Sequence, residues 1–224
     1  MIELVLNSKS VIVLDLDDTL YKEIDFLKSA YKEISEHLSN EIKLNIYQEM
    51  LDLYFEEKDV FEIIVNKYKF ESIYKVDLIR SYRNHYPSIV LLEGVKEFIQ
   101  KIEELNIPLG LITDGRSITQ RNKIAALGLS DCFDEIIISE EFGSKKPSIQ
   151  NFQIFMDKYR DHCFYYIGDN LKKDFVTPNK LGWNSICLLD DGRNIHKQNF
   201  DIQDKYKAKN YIKTFNDIII KYEK

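Results

Sequence analysis

A short apolar run that ends in three carboxylates is the feature that most constrains this chain. Val11 to Leu14 are four apolar residues, three of them β-branched, and predict a buried strand. Asp15, Asp17 and Asp18 follow within four positions. Acidic side chains are almost never buried unless they are paired or bound to a cation. We therefore expect the strand to end at Asp15, at an open sheet edge. In an extended backbone Asp15 and Asp17 project to the same side, where they could share a proton or hold a divalent cation.

Length and charge limit the class of protein. The 224 residues suggest one large domain or a core with a smaller insert, and a hydrophobic content of 44% is enough for a sizeable core. The net charge of −6 argues against nucleic acid as the main partner, because phosphate-backbone binding needs a basic surface. A small phosphorylated metabolite needs only a local positive site, so it remains a candidate partner.

The cysteines and the first residues indicate a cytoplasmic protein. Cys132, Cys163 and Cys187 are odd in number, are distant in sequence and adjoin apolar residues, which predicts buried free thiols in a reducing compartment. The N-terminus lacks the pattern of a signal peptide, and no apolar run approaches membrane-spanning length. We expect no membrane partner, and either a monomer or a small homo-oligomer.

The segment 21–87 predicts helices only. Apolar residues from Ile24 to Leu38 recur at steps of three and four, which is typical of one face of a helix. Further helical patterns cover about 42–57, 59–69 and 76–84, and no strand is needed before Pro87. We predict a small all-helical domain over 21–87, inserted after the first strand.

The remainder of the chain alternates strands and helices. Strands are predicted near 108–112, 135–139, 163–167 and 184–188, with a short one possible at 211–212 and a last helix at 215–222. Alternation of this kind predicts an α/β core, residues 1–20 and 88–224, with a Rossmann-like parallel sheet covered by helices on both faces. Ligands bind beyond the carboxyl ends of the strands in such sheets. The polar stretch of about 190–207 is predicted to be a surface loop.

Three predicted strands end in polar residues, and a lysine pair lies in the loop after another. These residues are Asp15 with Asp17, Thr113 with Asp114, Asp169, and Lys145 with Lys146. A parallel sheet brings the strand ends to one edge. Carboxylates, a hydroxyl and a lysine at one point are the composition expected of Mg²⁺-assisted phosphoryl transfer, in which an aspartate can attack phosphorus.

Four segments carry a family resemblance. In chain order they are Asp15 to Thr19, Ile112 to Gly115, Lys146-Pro147 and Gly168 to Asp174. Each alone is a weak signal, but together they resemble the four ordered motifs of the haloacid dehalogenase-like (HAD) superfamily. The resemblance covers nearly the whole chain, because the helical insert lies where the family's α-helical cap lies, between the first and second motifs.

The resemblance implies a role for each matching position. Asp15 would be the nucleophile that becomes an aspartyl-phosphate. Asp17 would protonate the leaving oxygen and then activate water; the family's phosphatases carry an acid–base Asp here and its dehalogenases do not. Thr113 would bind the phosphoryl oxygens with help from the Asp114 amide. Lys146, which directly precedes the proline, would pair with the nucleophile and the phosphate.

The resemblance also implies a Mg²⁺ cofactor. Its ligands would be the Asp15 and Asp169 carboxylates and the Asp17 backbone carbonyl, while Asp174 would support the metal or its water shell, or orient the lysine. One departure is visible: Asp114 stands where the family often has Asn. An ionised Asp lacks the side-chain donor of Asn, which affects fine substrate binding rather than the chemistry.

The expected function is a Mg²⁺-dependent phosphatase that hydrolyses a small phosphate monoester through an aspartyl-phosphate. A sugar phosphate and a nucleoside monophosphate both fit as substrate. Two alternatives stay open: a sugar-phosphate mutase that uses the same intermediate, and a non-catalytic phospholigand-binding protein.

Overall fold

The computed structural model describes residues 1–223, and its main sheet has six parallel strands. The eight strands are β1 (Ile2–Leu6), β2 (Ser10–Leu14), β3 (Leu109–Thr113), β4 (Glu135–Ile138), β5 (Cys163–Gly168), β6 (Asn184–Leu188), β7 (Asn210–Ile212) and β8 (Ile218–Tyr222). The main sheet has the order β4-β3-β2-β5-β6-β7, and every pairing in it is parallel. The predicted Rossmann-like parallel sheet is therefore confirmed, with β2 near its centre.

The chain between β2 and β3 is helical in its regular structure. The helices are α1 (Glu23–Ile42), α2 (Tyr47–Phe55), α3 (Val60–Tyr68), α4 (Lys75–Asn84) and α5 (Val95–Glu104). The first four bury a hydrophobic cluster of their own, which runs in sequence from Ile24 to Leu78. The division into a core of 1–20 and 88–224 and a helical domain of 21–87 stays a prediction.

Helices cover both faces of the sheet. The side chains of β2 alternate between two hydrophobic clusters, one on each face. The helices after β3 are α6 (Ser117–Ala126), α7 (Ser139–Phe142), α8 (Ile149–Lys158) and α9 (Val176–Lys180). Ile12 and Leu14 pack in the cluster that contains the apolar face of α5. Val11 and Val13 pack in the opposite cluster with Phe152 of α8. This two-sided burial is why the strand reads as an uninterrupted apolar run.

The predicted last helix at 215–222 is wrong. Phe215–Asp217 is a single 3₁₀ turn, in which the Asp217 carboxylate accepts the Thr214 amide at 3.3 Å, and the chain then continues as β8. Strand β8 pairs in parallel with β1, a strand that the sequence reading did not propose. Three consecutive isoleucines from Ile218 favour the extended conformation because β-branched side chains lose rotamer freedom in a helix.

The cysteines are free, as expected, but differ in burial. Cys187 is buried, Cys132 is half-buried and Cys163 is exposed, so the predicted burial is wrong for Cys163, which is the first residue of β5. No helix in the described part of the chain is long and apolar enough to cross a membrane.

Candidate active site

The sheet order brings three polar strand ends together. Strand β2 pairs with β3 on one side and β5 on the other, so the residues that follow these strands meet at one edge. Thr113 ends β3, Asp15 follows β2 and Asp169 follows β5. The Asp15 amide donates to the Ile167 carbonyl at 2.9 Å, which fixes Asp15 against the neighbouring strand.

A tight turn after β2 directs the three carboxylates to different places. The strand ends at Leu14, and Asp18 has a φ of 55°, in the left-handed region. The buried Asp18 carboxylate accepts the amides of Glu23 at 2.9 Å and Ile195 at 3.0 Å. Asp18 therefore holds the turn against the start of α1.

Lys146 lies between two carboxylates in the interior. Its Nζ is 2.6 Å from Asp15 Oδ1 and 2.7 Å from Asp174 Oδ1, and it donates to the Tyr166 hydroxyl at 3.2 Å. Only 3% of the Lys146 surface is exposed. Burial alone would lower the pKa of Lys146, but the Asp15 and Asp174 carboxylates outweigh it and raise the pKa well above its usual value. The site therefore holds a permanent buried cation against Asp15.

Asp174 contacts this lysine. One of its carboxylate oxygens pairs with Lys146, and the other accepts the backbone amides of Asp169 at 3.2 Å and Asn170 at 2.8 Å. The sequence left open whether this residue supports a metal or orients the lysine. The contact with Lys146 supports the second role, the contacts with the two amides fix the backbone at the end of β5, and the choice between the two roles stays a prediction.

Three buried carboxylates form a group that could hold a metal ion. Oxygens of Asp15, Asp169 and Asp174 all lie within 4.8 Å of one another. Burial and the neighbouring carboxylates raise the pKa of Asp15 to about 8 and that of Asp169 well above its usual range. One lysine cannot balance three carboxylates, so a cation would relieve the remaining repulsion. An all-oxygen donor set suits a hard divalent cation such as Mg²⁺.

A buried asparagine orients Asp169. Asn194 is 2% exposed, and its Nδ2 donates to Asp169 Oδ2 at 2.8 Å. Its Oδ1 accepts from Lys22 Nζ at 2.6 Å, just before α1. The stretch 190–207 was predicted to be a surface loop, and this is wrong for Asn194. An asparagine among Asp, Gly and Lys residues carries no sequence signal for such a position.

The Asp17 carboxylate is surrounded by donors. Its Oδ1 accepts from Lys123 Nζ at 2.7 Å and from the Tyr21 hydroxyl, and its Oδ2 accepts from Gln120 Nε2 at 2.9 Å. Burial would raise the pKa of Asp17, but the Lys123 ammonium and these hydrogen bonds outweigh it and lower the pKa below its ordinary value. The carboxylate is not part of the three-carboxylate group, and the proposed role of the Asp17 backbone carbonyl stays a prediction. Sequence reasoning missed Lys123 and Gln120.

The second motif makes contacts that the sequence did not indicate. Thr113 is 1% exposed, and its Oγ1 accepts from Gln120 Nε2 at 2.5 Å. The Asp114 carboxylate accepts the Lys146 amide at 2.9 Å and lies 3.4 Å from Lys173 Nζ. Asp114, which stands where the family often has Asn, thus has a cationic partner in Lys173 of the fourth motif. Its carboxylate also anchors the loop that carries Lys146.

A cleft opens beside these residues. It is lined by Asp15, Asp17, Asp18, Glu23, Asp114, Lys146, Asp169, Asn170, Lys173 and His196. The structure therefore brings five predicted site residues to one cavity. Thr113 and Asp174 lie behind this lining. Because Glu23 belongs to the first turn of α1, the helical segment borders the cavity.

Comparison with known proteins supports the same grouping. A family model described as haloacid dehalogenase-like hydrolase matches residues 12–188. The glyceraldehyde 3-phosphate phosphatase of Methanocaldococcus jannaschii is 26% identical over 198 residues, which cover 80% of this chain and 84% of that protein. The ribulose-1,5-bisphosphate 5-phosphatase of Halopiger xanaduensis is 26% identical over 100 residues, 44% of this chain and 42% of that protein.

A solved structure agrees at the level of the fold. The HAD hydrolase YfnB from Bacillus subtilis, solved with magnesium bound, matches with a TM-score of 0.62 and 19% identity, covering 95% of this chain and 97% of that one. This likeness shows the fold alone. Because the family model spans most of the sequence and the four motifs lie in order along it, the chain belongs to the haloacid dehalogenase-like hydrolases.

Proposed function

We propose that this protein is a Mg²⁺-dependent phosphatase that hydrolyses a small sugar phosphate through an aspartyl-phosphate on Asp15. The observation that carries the proposal is the buried Lys146 ammonium, 2.6 Å from Asp15 and 2.7 Å from Asp174, at the edge of the cleft. A carboxylate fixed against a cation can meet an anionic phosphate without prohibitive repulsion. The family membership supports the same chemistry.

The first step would be attack of an Asp15 oxygen on phosphorus. The P–O bond to the sugar breaks, and the leaving oxygen takes the proton of Asp17. Lys146 offsets phosphate charge, and the Asp169 carboxylate, held by Asn194, would help to bind the metal. Bound Mg²⁺ would supply further charge neutralisation at the phosphoryl oxygens.

The second step would regenerate the nucleophile. A water oxygen attacks phosphorus while Asp17 accepts a proton from that water. The P–O bond to Asp15 breaks, inorganic phosphate forms, and the Asp15 carboxylate returns to its ion pair with Lys146. The proton that Asp17 accepts from water replaces the one that it gave to the leaving oxygen, so the two steps balance. Because its donors lower the pKa of Asp17 in the free protein, the first proton would enter with the substrate, bound as the phosphate monoanion.

The substrate class rests on the relatives. The names of the M. jannaschii and H. xanaduensis proteins place their activity on glyceraldehyde 3-phosphate and ribulose 1,5-bisphosphate, both small sugar phosphates. We extend that class to this chain. Glu23, which borders the cleft, offers a carboxyl group that can hydrogen-bond to sugar hydroxyl groups.

A panel of phosphate esters tests the function. We expect release of inorganic phosphate from glyceraldehyde 3-phosphate and related sugar phosphates with Mg²⁺, and its loss when a chelator is added. Preferred hydrolysis of nucleoside monophosphates would overturn the substrate class. An isomerised sugar phosphate without free phosphate would indicate a mutase, and no turnover of any ester would refute the proposed catalysis.

Replacement of Asn194 tests the metal site without measuring turnover. In Asn194→Ala the Asp169 carboxylate loses its amide donor, so we expect the Mg²⁺ dissociation constant to rise about 10-fold or more, in line with the cost of removing groups that orient metal ligands. Isothermal titration calorimetry measures it. Asn66→Ala, at an exposed position on α3, is the matched control and should bind Mg²⁺ like the wild type. Equal affinity in both variants would contradict the role given to Asn194.

A further inference from the structure

A second buried lysine lies on α6, outside the four family motifs. Lys123 is 3% exposed, and its Nζ is 2.7 Å from Asp17 Oδ1. Among the residues described, Asp17 is its one carboxylate partner within ion-pair distance. The same Nζ lies 4.4 Å from the centre of the Phe26 ring of α1. The ammonium is thus held between Asp17 and the first helix of the insert.

Gln120 completes the hold on Asp17 from the same helix. It precedes Lys123 by three positions, so both side chains lie on one face of α6. Its Nε2 donates to Asp17 Oδ2 at 2.9 Å and to Thr113 Oγ1 at 2.5 Å. Each oxygen of Asp17 therefore has a donor from α6, and one of these donors also contacts the second motif.

Helix α6 is itself tied to the end of the helical segment. The Thr119 hydroxyl donates to the Arg83 carbonyl at 2.9 Å. The Asn122 amide donates to the carbonyls of Asn84 at 3.0 Å and His85 at 3.1 Å, at the C-terminal end of α4. Thr119 and Asn122 each directly precede a residue that holds Asp17, Gln120 and Lys123 respectively. The helix that positions Asp17 therefore has a fixed place relative to α4.

We propose that Lys123 is a positioning residue that, with Gln120, holds the Asp17 carboxyl group where it can exchange a proton with the reacting oxygen. The inference rests on the proposed function. A lysine that served only to fill the core would be costly, because a buried ion pair is often no more stabilising than well-packed apolar residues of the same volume. The presence of a lysine at this place is explained by the Asp17 carboxylate, which the Lys123 ammonium orients.

The proposal distinguishes esters by their leaving groups. In the first step the Asp15–P bond forms, the ester P–O bond breaks, and an alkoxide must take the Asp17 proton. A p-nitrophenolate leaves without that proton. In the second step, the water that attacks phosphorus gives its proton to Asp17 for every ester. A variant in which Asp17 is displaced should therefore be slow in the first step only with alkyl phosphate esters. It should be slow in the second step with every ester.

The test compares Lys123→Met with the wild type on glyceraldehyde 3-phosphate and p-nitrophenyl phosphate. In the first turnover we expect the rate on the sugar ester to fall about 100-fold, the lower range for general acid–base catalysis. The first turnover of p-nitrophenyl phosphate should stay near the wild-type rate and appear as a burst before a slow steady state. Lys123→Arg should restore part of the loss, and Mg²⁺ affinity should not change. Lys101→Met, on the exposed face of α5, is the control without effect.

Two results would overturn the inference. Equal slowing of both first turnovers would mean that Lys123 supports the structure around Asp15, and no slowing of either would mean that it positions nothing. If circular dichroism shows that Lys123→Met does not fold, Gln120→Met is measured in its place, with the same ester-dependent pattern expected and the same two results overturning it. A wild-type protein that hydrolyses neither ester would instead refute the proposed function.

Discussion

Asp15→Asn is expected to abolish turnover and leave the fold intact. The carboxylate oxygen that would attack phosphorus is replaced by an amide, which is a very poor nucleophile, so kcat should fall by about 10⁴-fold or more, as when the nucleophile of a covalent mechanism is removed. Stability should change little. Burial raises the pKa of Asp15 to about 8, so its negative charge is unfavourable in the metal-free protein, and Lys146 keeps Asp174 as a partner.

The measurement is phosphate release with Mg²⁺, together with the thermal unfolding of each protein. Asp131→Asn removes an exposed carboxylate far along the chain and is the charge-matched control, expected to retain full activity. Rapid quenching of the wild type should trap a phosphoryl group on the protein, and Asp15→Asn should carry none. An Asp15→Asn protein with more than about one per cent of wild-type kcat would exclude the nucleophile assignment.

The strand-end residues could be predicted because topology determines their place. Asp15, Thr113 and Asp169 each stand at the end of an apolar run. To predict that they lie close together, only one rule was needed: parallel strands present their carboxyl ends at one edge of the sheet. Lys146 was recognised through its neighbouring proline. These positions depend on backbone order, which hydrophobic patterning reveals well.

The partners of those residues could not be predicted, because they depend on packing between distant elements. Lys123 looked like any polar residue on a covering helix, and Asn194 looked like part of a solvated loop. Lys123 is buried because α1 lies against it. Asn194 is buried because it lies against Asp169, at the end of β5. The same limit explains the missed pairing of β8 with β1, since the partner strands lie at opposite ends of the chain.

Lys146→Met should lower both activity and stability, and the loss of stability should depend on pH. Removal of the ammonium leaves Asp15 and Asp174 buried without it, so kcat should fall about 10³-fold. The free energy of unfolding should fall by about 3–5 kcal/mol near pH 8, the usual cost of removing one partner of a buried ion pair. Lys158→Met, whose partner Glu135 is on the surface, should lose no more than about 1 kcal/mol.

The pH dependence follows from Asp15. Its pKa in the folded protein is about 8, above the ordinary value of 3.8, and Lys146 is the group that keeps it from rising further. A carboxyl with a raised pKa favours folding at low pH, and this contribution is lost as the pH rises through the folded pKa. Below about pH 8 the Asp15 carboxyl is protonated in both folded proteins, so the deficit of Lys146→Met relative to wild type should be the same at pH 5 and pH 7. It should grow above pH 8, where Asp15 ionises beside Lys146 in the wild type but stays protonated in the variant.

Urea unfolding at pH 5, 7 and 9, with and without Mg²⁺, measures this deficit. Because a divalent cation would replace part of the missing positive charge, Mg²⁺ should recover more stability in Lys146→Met than in the wild type, and most at high pH. A deficit that is the same at every pH would mean that Lys146 contributes packing rather than charge. A deficit that Mg²⁺ does not reduce would place the metal away from Asp15, because a cation bound beside that carboxylate must compensate the charge that the lysine no longer supplies.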